Sequence, residues 1–259
     1  MEISILSSIF ADPAVLIPFI LIGFAAQLVD GALGMAYGQI SSTLLISMGV
    51  QPKLASAGVH AAETFTTAVS AVSHVAHRNV DWWLFFKIVV PGVIGGILGA
   101  YVLTEVPAGT AKPVVLAYLT GLGLYLFYRG VMHRHTERQP RVISPLGLIG
   151  GFLDAAGGGG WGAIVTSNLL VQGSNPRHTI GTVNTAEFFV TVTISATFFA
   201  TLGWKAFTTA TLGLLIGGVA AAPFGAWIAK RVKPDTLLTF VGGLLTLTSL
   251  FGLYRAISG

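Results

Sequence analysis

Apolar runs long enough to cross a bilayer alternate with short polar breaks along almost the whole chain. Residues 13–29 are apolar up to Asp30-Gly31, and a second apolar run reaches Gly49. As one straight helix, these runs of about 36 residues would be roughly 54 Å long, against a hydrocarbon core of ~30 Å. A glycine cluster lies between them, so the pattern predicts two half-helices meeting at a break, most simply a re-entrant hairpin. Pro52, favourable at a first helical position, opens a helix to about His77. A short loop, 78–81, then leads to the interfacial aromatic pair Trp82-Trp83. One span runs on to about Thr104, a turn covers 107–110, and another span runs from about Pro113 to Tyr128. Residues 129–144 are the hydrophilic interruption, and after them the order returns: a broken pair over 145–172, a helix over 176–201, and spans over 204–229 and 235–254.

The return is a duplication. At an offset of 124 residues, Gly23, Asp30, Gly34, Gly38, Ile40, Leu45 and Gly49 meet Gly147, Asp154, Gly158, Gly162, Ile164, Leu169 and Gly173. Pro52, Val59, Ala62, Glu63, Phe65 and Thr67 meet Pro176, Val183, Ala186, Glu187, Phe189 and Thr191. Internal repeats with interrupted apolar segments are the mark of transporter folds. Residues 1–128 form a first transmembrane repeat, 129–144 a basic cytoplasmic linker, and 145–259 a second transmembrane repeat.

Composition narrows the class. Hydrophobic residues make up 53% of the 259 and charged residues 9%, too few to cover a soluble domain, which is typically about a quarter charged. No ~10-residue alternating strands suggest an outer-membrane barrel. The chain has no cysteine, hence no disulfide framework or thiolate centre. Glu2 and Asp12 stand where a positive n-region would precede a cleaved signal, so none is expected. The net charge of +4 calls for no nucleic-acid partner.

A broken pair plus three spans is an odd number of crossings, so the second repeat should be inverted relative to the first. With the linker cytoplasmic, that arrangement places Arg78, Arg129, Arg134, Arg138, Arg141, Arg177, Lys230, Arg231 and Lys233 inside. It leaves Lys53, Lys112, Lys205 and Arg255 outside, with Lys87 unassigned. Parallel repeats would move Lys205 and Arg255 inside and send Arg177, Lys230, Arg231 and Lys233 out. The positive-inside rule favours inversion. The expected fold is an all-α polytopic membrane protein of two inverted repeats.

Chemistry is expected at the breaks. In lipid, a backbone interruption persists only where it lines protein or water. The second half-helices start near Gly34–Gly38 and Gly158–Gly162, where N–H groups lack helical partners and glycine permits close approach. Such tips can hold a small anion without a full positive charge, although tight helix packing would also use these glycines. His60, Glu63 and Thr67 share one helix face, and Asn184, Glu187 and Thr191 are their counterparts. Glu63 falls roughly 16 Å past Pro52, about mid-membrane, where carboxyls face cavities and move protons or join helices. Gly34, Gly38, Gln39, Ser42, His60, Gly158, Gly159, Gly162, Asn168 and Asn184 are the candidate substrate-binding residues, and Glu63 and Glu187 the candidate proton-coupling pair. Asp30 and Asp154 read as ordinary helix caps. No metal spacing, phosphate-binding loop or nucleophile elbow is present, so neither a cofactor nor an enzymatic reaction is expected.

The pattern resembles the TauE/SafE family of sulfite exporters, also called TSUP. The resemblance rests on Asp30–Gly38, Gly49-Val-Gln-Pro52 and Ala55-Ser-Ala-Gly58, then on 151–162, Gly173-Ser-Asn-Pro176 and Gly181-Thr-Val-Asn184, with a polar linker between. It implies a secondary transporter of the cytoplasmic membrane for sulfite or an organosulfonate such as sulfoacetate, working by alternating access and running as an exporter. A channel-like anion pore, or a proton-coupled carrier of sulfate or a carboxylate, is the alternative expectation. A cation importer using the acidic pairs is a further one. The expected partners are the small anion and the lipid bilayer, with oligomeric state left open.

Overall fold

A computed structural model describes residues 12–132, 140–229 and 234–258. Arg134, Arg138, Lys230, Arg231, Lys233 and the middle of the linker, 133–139, lie outside the described residues. The described chain is all helix, without strands. After a short 3-10 turn at Pro13–Leu16, the first repeat holds α1 (Ile17–Leu33), α2 (Tyr37–Ser47), α3 (Pro52–Ala76), α4 (Trp82–Glu105) and α5 (Ala108–Val131). The second holds α6 (Ser144–Gly157), a π-helical turn Gly162–Thr166 continuing into α7 (Ser167–Val171), α8 (Pro176–Leu202), α9 (Thr209–Ala229) and α10 (Pro234–Ser258). Each element of one repeat has its counterpart at the 124-residue offset. Among the described residues, five spans are long and apolar enough to cross a membrane: 13–31, 82–105, 108–131, 178–206 and 239–258. The chain is a multi-pass membrane protein.

Local chemistry sets the boundaries. Pro52 and Pro176 stand in the first turns of α3 and α8, where their missing N–H costs nothing. Asp81 caps α4 by accepting from the Trp83 and Leu84 amides at 3.0 and 3.1 Å. The turn expected at 107–110 is shorter than its sequence suggests. Pro107 itself is the N-cap of α5, and Ala108–Thr110 already belong to the helix.

The repeats interlock. All of the most extensive helix–helix packing runs between them: α1 on α9, α4 on α6, α5 on α10, α3 on α8, α4 on α8 and α3 on α9. The pairings are reciprocal, since the first helix of each repeat lies on the fourth helix of the other. Glycine makes these contacts close. A Cβ on Gly147 would sit 2.6 Å from the Ile88 carbonyl oxygen, and Gly151 lies against the Gly92 backbone. Gly23 and Gly217 meet the Leu214 and Ile20 backbones in the same way. Such small-residue seams let helix backbones approach in lipid.

Equivalent helices that touch run antiparallel. Along α3 and α8, His60 pairs with Phe198, Thr64 with Ser195, Thr67 with Thr191 and Ser70 with Asn184. Along α5 and α10, Gly123 meets Thr246 and Gly130 meets Thr239. The Thr67 and Thr191 hydroxyls, 3.4 Å apart, are repeat equivalents in mutual contact, so they mark a pseudo-two-fold axis.

Three surface pockets show which loops share an end. Lys53 of α3 and Lys205 after α8 line one pocket of about 650 Å³. Lys112 and Arg255 line another of about 250 Å³. Asp81 and Asn175 line a third of about 400 Å³.

Candidate functional site

Both breaks are built alike. α1 and α6 end on left-handed glycines, Gly34 (φ 66°) and Gly158 (φ 76°), whose amides return to the carbonyls of Asp30 and Asp154. A left-handed C-terminal glycine is the common way to stop a helix. The same aspartates then reach across the break. The Asp154 carboxylate accepts from the Trp161 amide at 2.9 Å, and the Asp30 carboxyl takes the Tyr37 amide. One residue therefore satisfies the end of one half-helix and the start of the next. The expectation of a cap holds, with the capped amide seven residues on rather than two or three.

The aromatic residues at the starts anchor the tips. Trp161 is wholly buried, donates from Nε1 to the Val183 carbonyl at 3.2 Å and lies over Gly92. Tyr37, its equivalent, donates to the Leu214 carbonyl at 3.1 Å beside Gly218.

The two tips touch. A Cβ on Gly38 would lie 2.8 Å from the Gly159 Cα and 3.2 Å from a Glu63 carboxyl oxygen. A Cβ on Gly159 would lie 2.6 Å from the Gln39 nitrogen. The reciprocal contact places Gly162 on Met35 and the Gly34 carbonyl. Of the expected residues, Gly34, Gly38, Gln39, Gly158, Gly159 and Gly162 thus meet backbone to backbone. Glu63 joins them, its carboxyl hydrogen-bonded by the Gly38 amide.

Around Gly158 several side chains are engaged with backbone carbonyls. Ser42 donates to the Gly158 carbonyl, Tyr118 donates to the Gly159 carbonyl at 3.1 Å, and Ser56 donates to the Ala155 carbonyl at 2.7 Å. His60 is completely buried, with Nδ1 2.7 Å from the Ser56 carbonyl and Nε2 3.1 Å from the Asp154 carboxylate. A carbonyl can only accept, so Nδ1 carries a hydrogen, and the Nε2–Asp154 contact holds one further proton between the two groups. His60 is therefore occupied by protein. It holds Asp154 across the two repeats.

The second repeat departs from this. Asn184, at His60's place, lies over Gly34, its Nδ2 3.3 Å from where a Cβ there would be. Its amide makes only long contacts, 3.5 Å to Ser70 and to His74, and its buried Oδ1 has no partner. Glu187 is half-buried. The groups acting on it are Glu63, Asp30 and Asp154, all acidic. Asn168 is not at the tips' contact: it donates to the Ile164 carbonyl at 2.7 Å, within its own turn. Ile164 lies inside the π-helical turn, and its carbonyl accepts the Ser167 amide as well.

Sequence reasoning missed Ser56 and Tyr118. Ser56 stands four residues before His60, a spacing that could have flagged it. Tyr118 has no counterpart, because Gly242 stands at its repeat position, so nothing in the duplication points to it. Among the described residues, no three His, Asp or Glu side chains converge as a metal set.

Comparison with known proteins accords with this architecture. Residues 19–252 match the model of the family described as Sulfite exporter TauE/SafE. The chain is 42% identical over 243 residues, 90% of its own length and 81% of the relative's, to Probable membrane transporter protein YtnM of Bacillus subtilis (strain 168). No solved structure matches it significantly. A duplicated, broken-helix membrane fold matched along nearly its whole length in this way belongs to the TauE/SafE sulfite exporter family, and the chain is a membrane transporter.

Proposed function

We propose that the chain moves a small sulfur-containing oxyanion, sulfite or an organosulfonate such as sulfoacetate, out across the cytoplasmic membrane by alternating access between two inverted repeats. Protons carried by Glu63 and Glu187 couple to the movement. The observation that carries the reading is the contact of the two interrupted segments, Gly38 on Gly159, beside a buried carboxyl. Ligand sites of transporters lie where broken helices of opposed repeats meet at mid-depth.

Inversion is supported by the shared pockets. Lys53 with Lys205, and Lys112 with Arg255, fall on one side only if the repeats are inverted; parallel repeats would separate the members of each pair. The antiparallel run of α3 against α8 supports it too, because an axis along the membrane normal relates helices that run the same way. The oxyanion class rests on the family description and on the amide-rich tips. Four carboxyls stand nearby, Asp30, Glu63, Asp154 and Glu187, with His60 as the basic group acting among them. A proton taken up by Glu63 or Glu187 would offset the charge that an anion brings among them. Tip contact supports a carrier over an open pore.

Flux of sulfite and sulfoacetate in proteoliposomes, under imposed pH and voltage gradients, tests the reading. Saturable uptake with counterflow is expected. Glu63→Gln and Glu187→Gln should abolish the response to a pH gradient while exchange of anion for anion persists. Absence of any saturable anion movement would remove the substrate claim, and an unchanged pH response in both variants would remove the proton claim.

A further inference from the structure

We infer that the two tips, although copies of one module, have divided their work: the lobe around Gly34 and Asn184 takes the oxyanion, and the lobe around Gly158 and His60 is a fixed pivot. The inference rests on the anion-carrier reading above and narrows it to one lobe. Its grounds are the hydrogen-bond accounts of the two lobes, compared position by position.

In the Gly158 lobe the side chains that face the break are spent on protein. Ser42, Ser56 and Tyr118 each donate to a carbonyl of 155–159, and His60 closes on Asp154. At the repeat offset, Ser42 becomes Thr166, Ser56 becomes Ile180 and His60 becomes Asn184. The bonds do not survive these exchanges. Thr166 is completely buried, and its hydroxyl has no partner. Asn184 is 7% exposed, with an unpartnered Oδ1 and an amide held only at the 3.5 Å limit. Buried polar groups are almost always satisfied, and an orphan costs its full desolvation. Gln39, whose backbone touches Gly159, and Ser41, both on α2, leave an Nε2 and a hydroxyl without partners as well, so the contrast between the lobes rests on Thr166 and Asn184 against Ser42 and His60.

The orphans define the ligand. Thr166 and the Asn184 amide are neutral donors suited to oxygen atoms, and Asn184 Oδ1 is an acceptor. A small oxyanion that still carries one O–H, such as hydrogen sulfite, offers both complements. A fully deprotonated dianion offers nothing to Oδ1. The ligand therefore brings its own proton into the lobe where the Gly34 amide returns to the Asp30 carbonyl.

Purified full-length protein is titrated with sodium sulfite under reducing conditions, reading the melting temperature to obtain an apparent Kd. Thr166→Val, which keeps the shape and removes the hydroxyl, should raise the Kd about ten-fold or more, as loss of a hydrogen bond to a charged group does. Thr166→Ser should restore it, and Asn184→Ala should weaken binding by a similar factor. Ser56→Ala should lower the melting temperature without ligand but leave the Kd within about two-fold. Unchanged affinity in Thr166→Val, or equal weakening in Ser56→Ala, overturns the division of labour. Should Asn184→Ala fail to fold, the Thr166→Val and Thr166→Ser pair decides. If sulfite, sulfoacetate and sulfate all fail to stabilise the unaltered protein, the anion-carrier reading fails instead, and the two failures are distinguishable.

Discussion

The buried ion contact between His60 and Asp154 joins the two repeats at a single proton, and the Asp154 carboxylate also holds the start of the second half-helix through Trp161. Removing one member strands the other in a dry site, which costs about 3–5 kcal/mol. His60→Ala and Asp154→Asn should each destabilise on that scale, and the double variant by clearly less than their sum. Chemical unfolding in detergent would give the coupling, and simple additivity would mean the two residues act separately. Much of this chemistry was legible. The i, i+3, i+7 spacing placed His60, Glu63 and Thr67 on one face, and the duplication picked out Asp30 and Asp154. The pairing of His60 with Asp154 was not legible, because it links residues 94 positions apart across the repeats. Tyr118 was hidden for the related reason that only one repeat carries it.

At the scale of the element, the break is what matters. Glycine clusters, read against the thickness of a bilayer, foretold two interrupted helix pairs, and the left-handed conformations of Gly34 and Gly158 explain why glycine recurs there. Pattern could not show that Ala36 takes a left-handed conformation (φ 94°) at one start while a π-helical turn forms at the other. These depend on how each tip is pressed against its mate. Gly159→Ala should be severe. Its φ of 138° disfavours any side chain, and the new Cβ would enter the Gly38–Gln39 backbone. Loss of folded, monodisperse protein or of transport is expected. Gly121→Ala, in a helix with nothing within 4 Å of the new methyl, should be neutral or stabilising by about 0.5–1 kcal/mol. Thermal melts of the pair in one detergent would show the contrast, and equal tolerance would mean the tips do not need their contact.

For the whole molecule, orientation is the question charge counting could address, since the basic residues lie in loops and at helix ends. The absence of native cysteine makes the protein ready for single-cysteine labelling. Lys53→Cys and Lys205→Cys should react with an impermeant thiol reagent from the outer side, and Arg78→Cys only after permeabilisation. Opposite labelling of the first two would require parallel repeats. Thr67→Cys with Thr191→Cys, on the pseudo-two-fold axis, should cross-link under mild oxidation and stop transport reversibly. Full activity of the cross-linked form would place the moving boundary elsewhere.

The exchange of first helices between repeats, α1 lying on α9 and α6 on α4, bears on where such a chain could have come from. A lone half would have no surface for its opening helix except the fourth helix of another copy. Two separate copies could cover each other's opening helices in the way the two repeats do here. Joined in one chain, the two copies can carry different side chains at equivalent places, as His60 and Asn184 do.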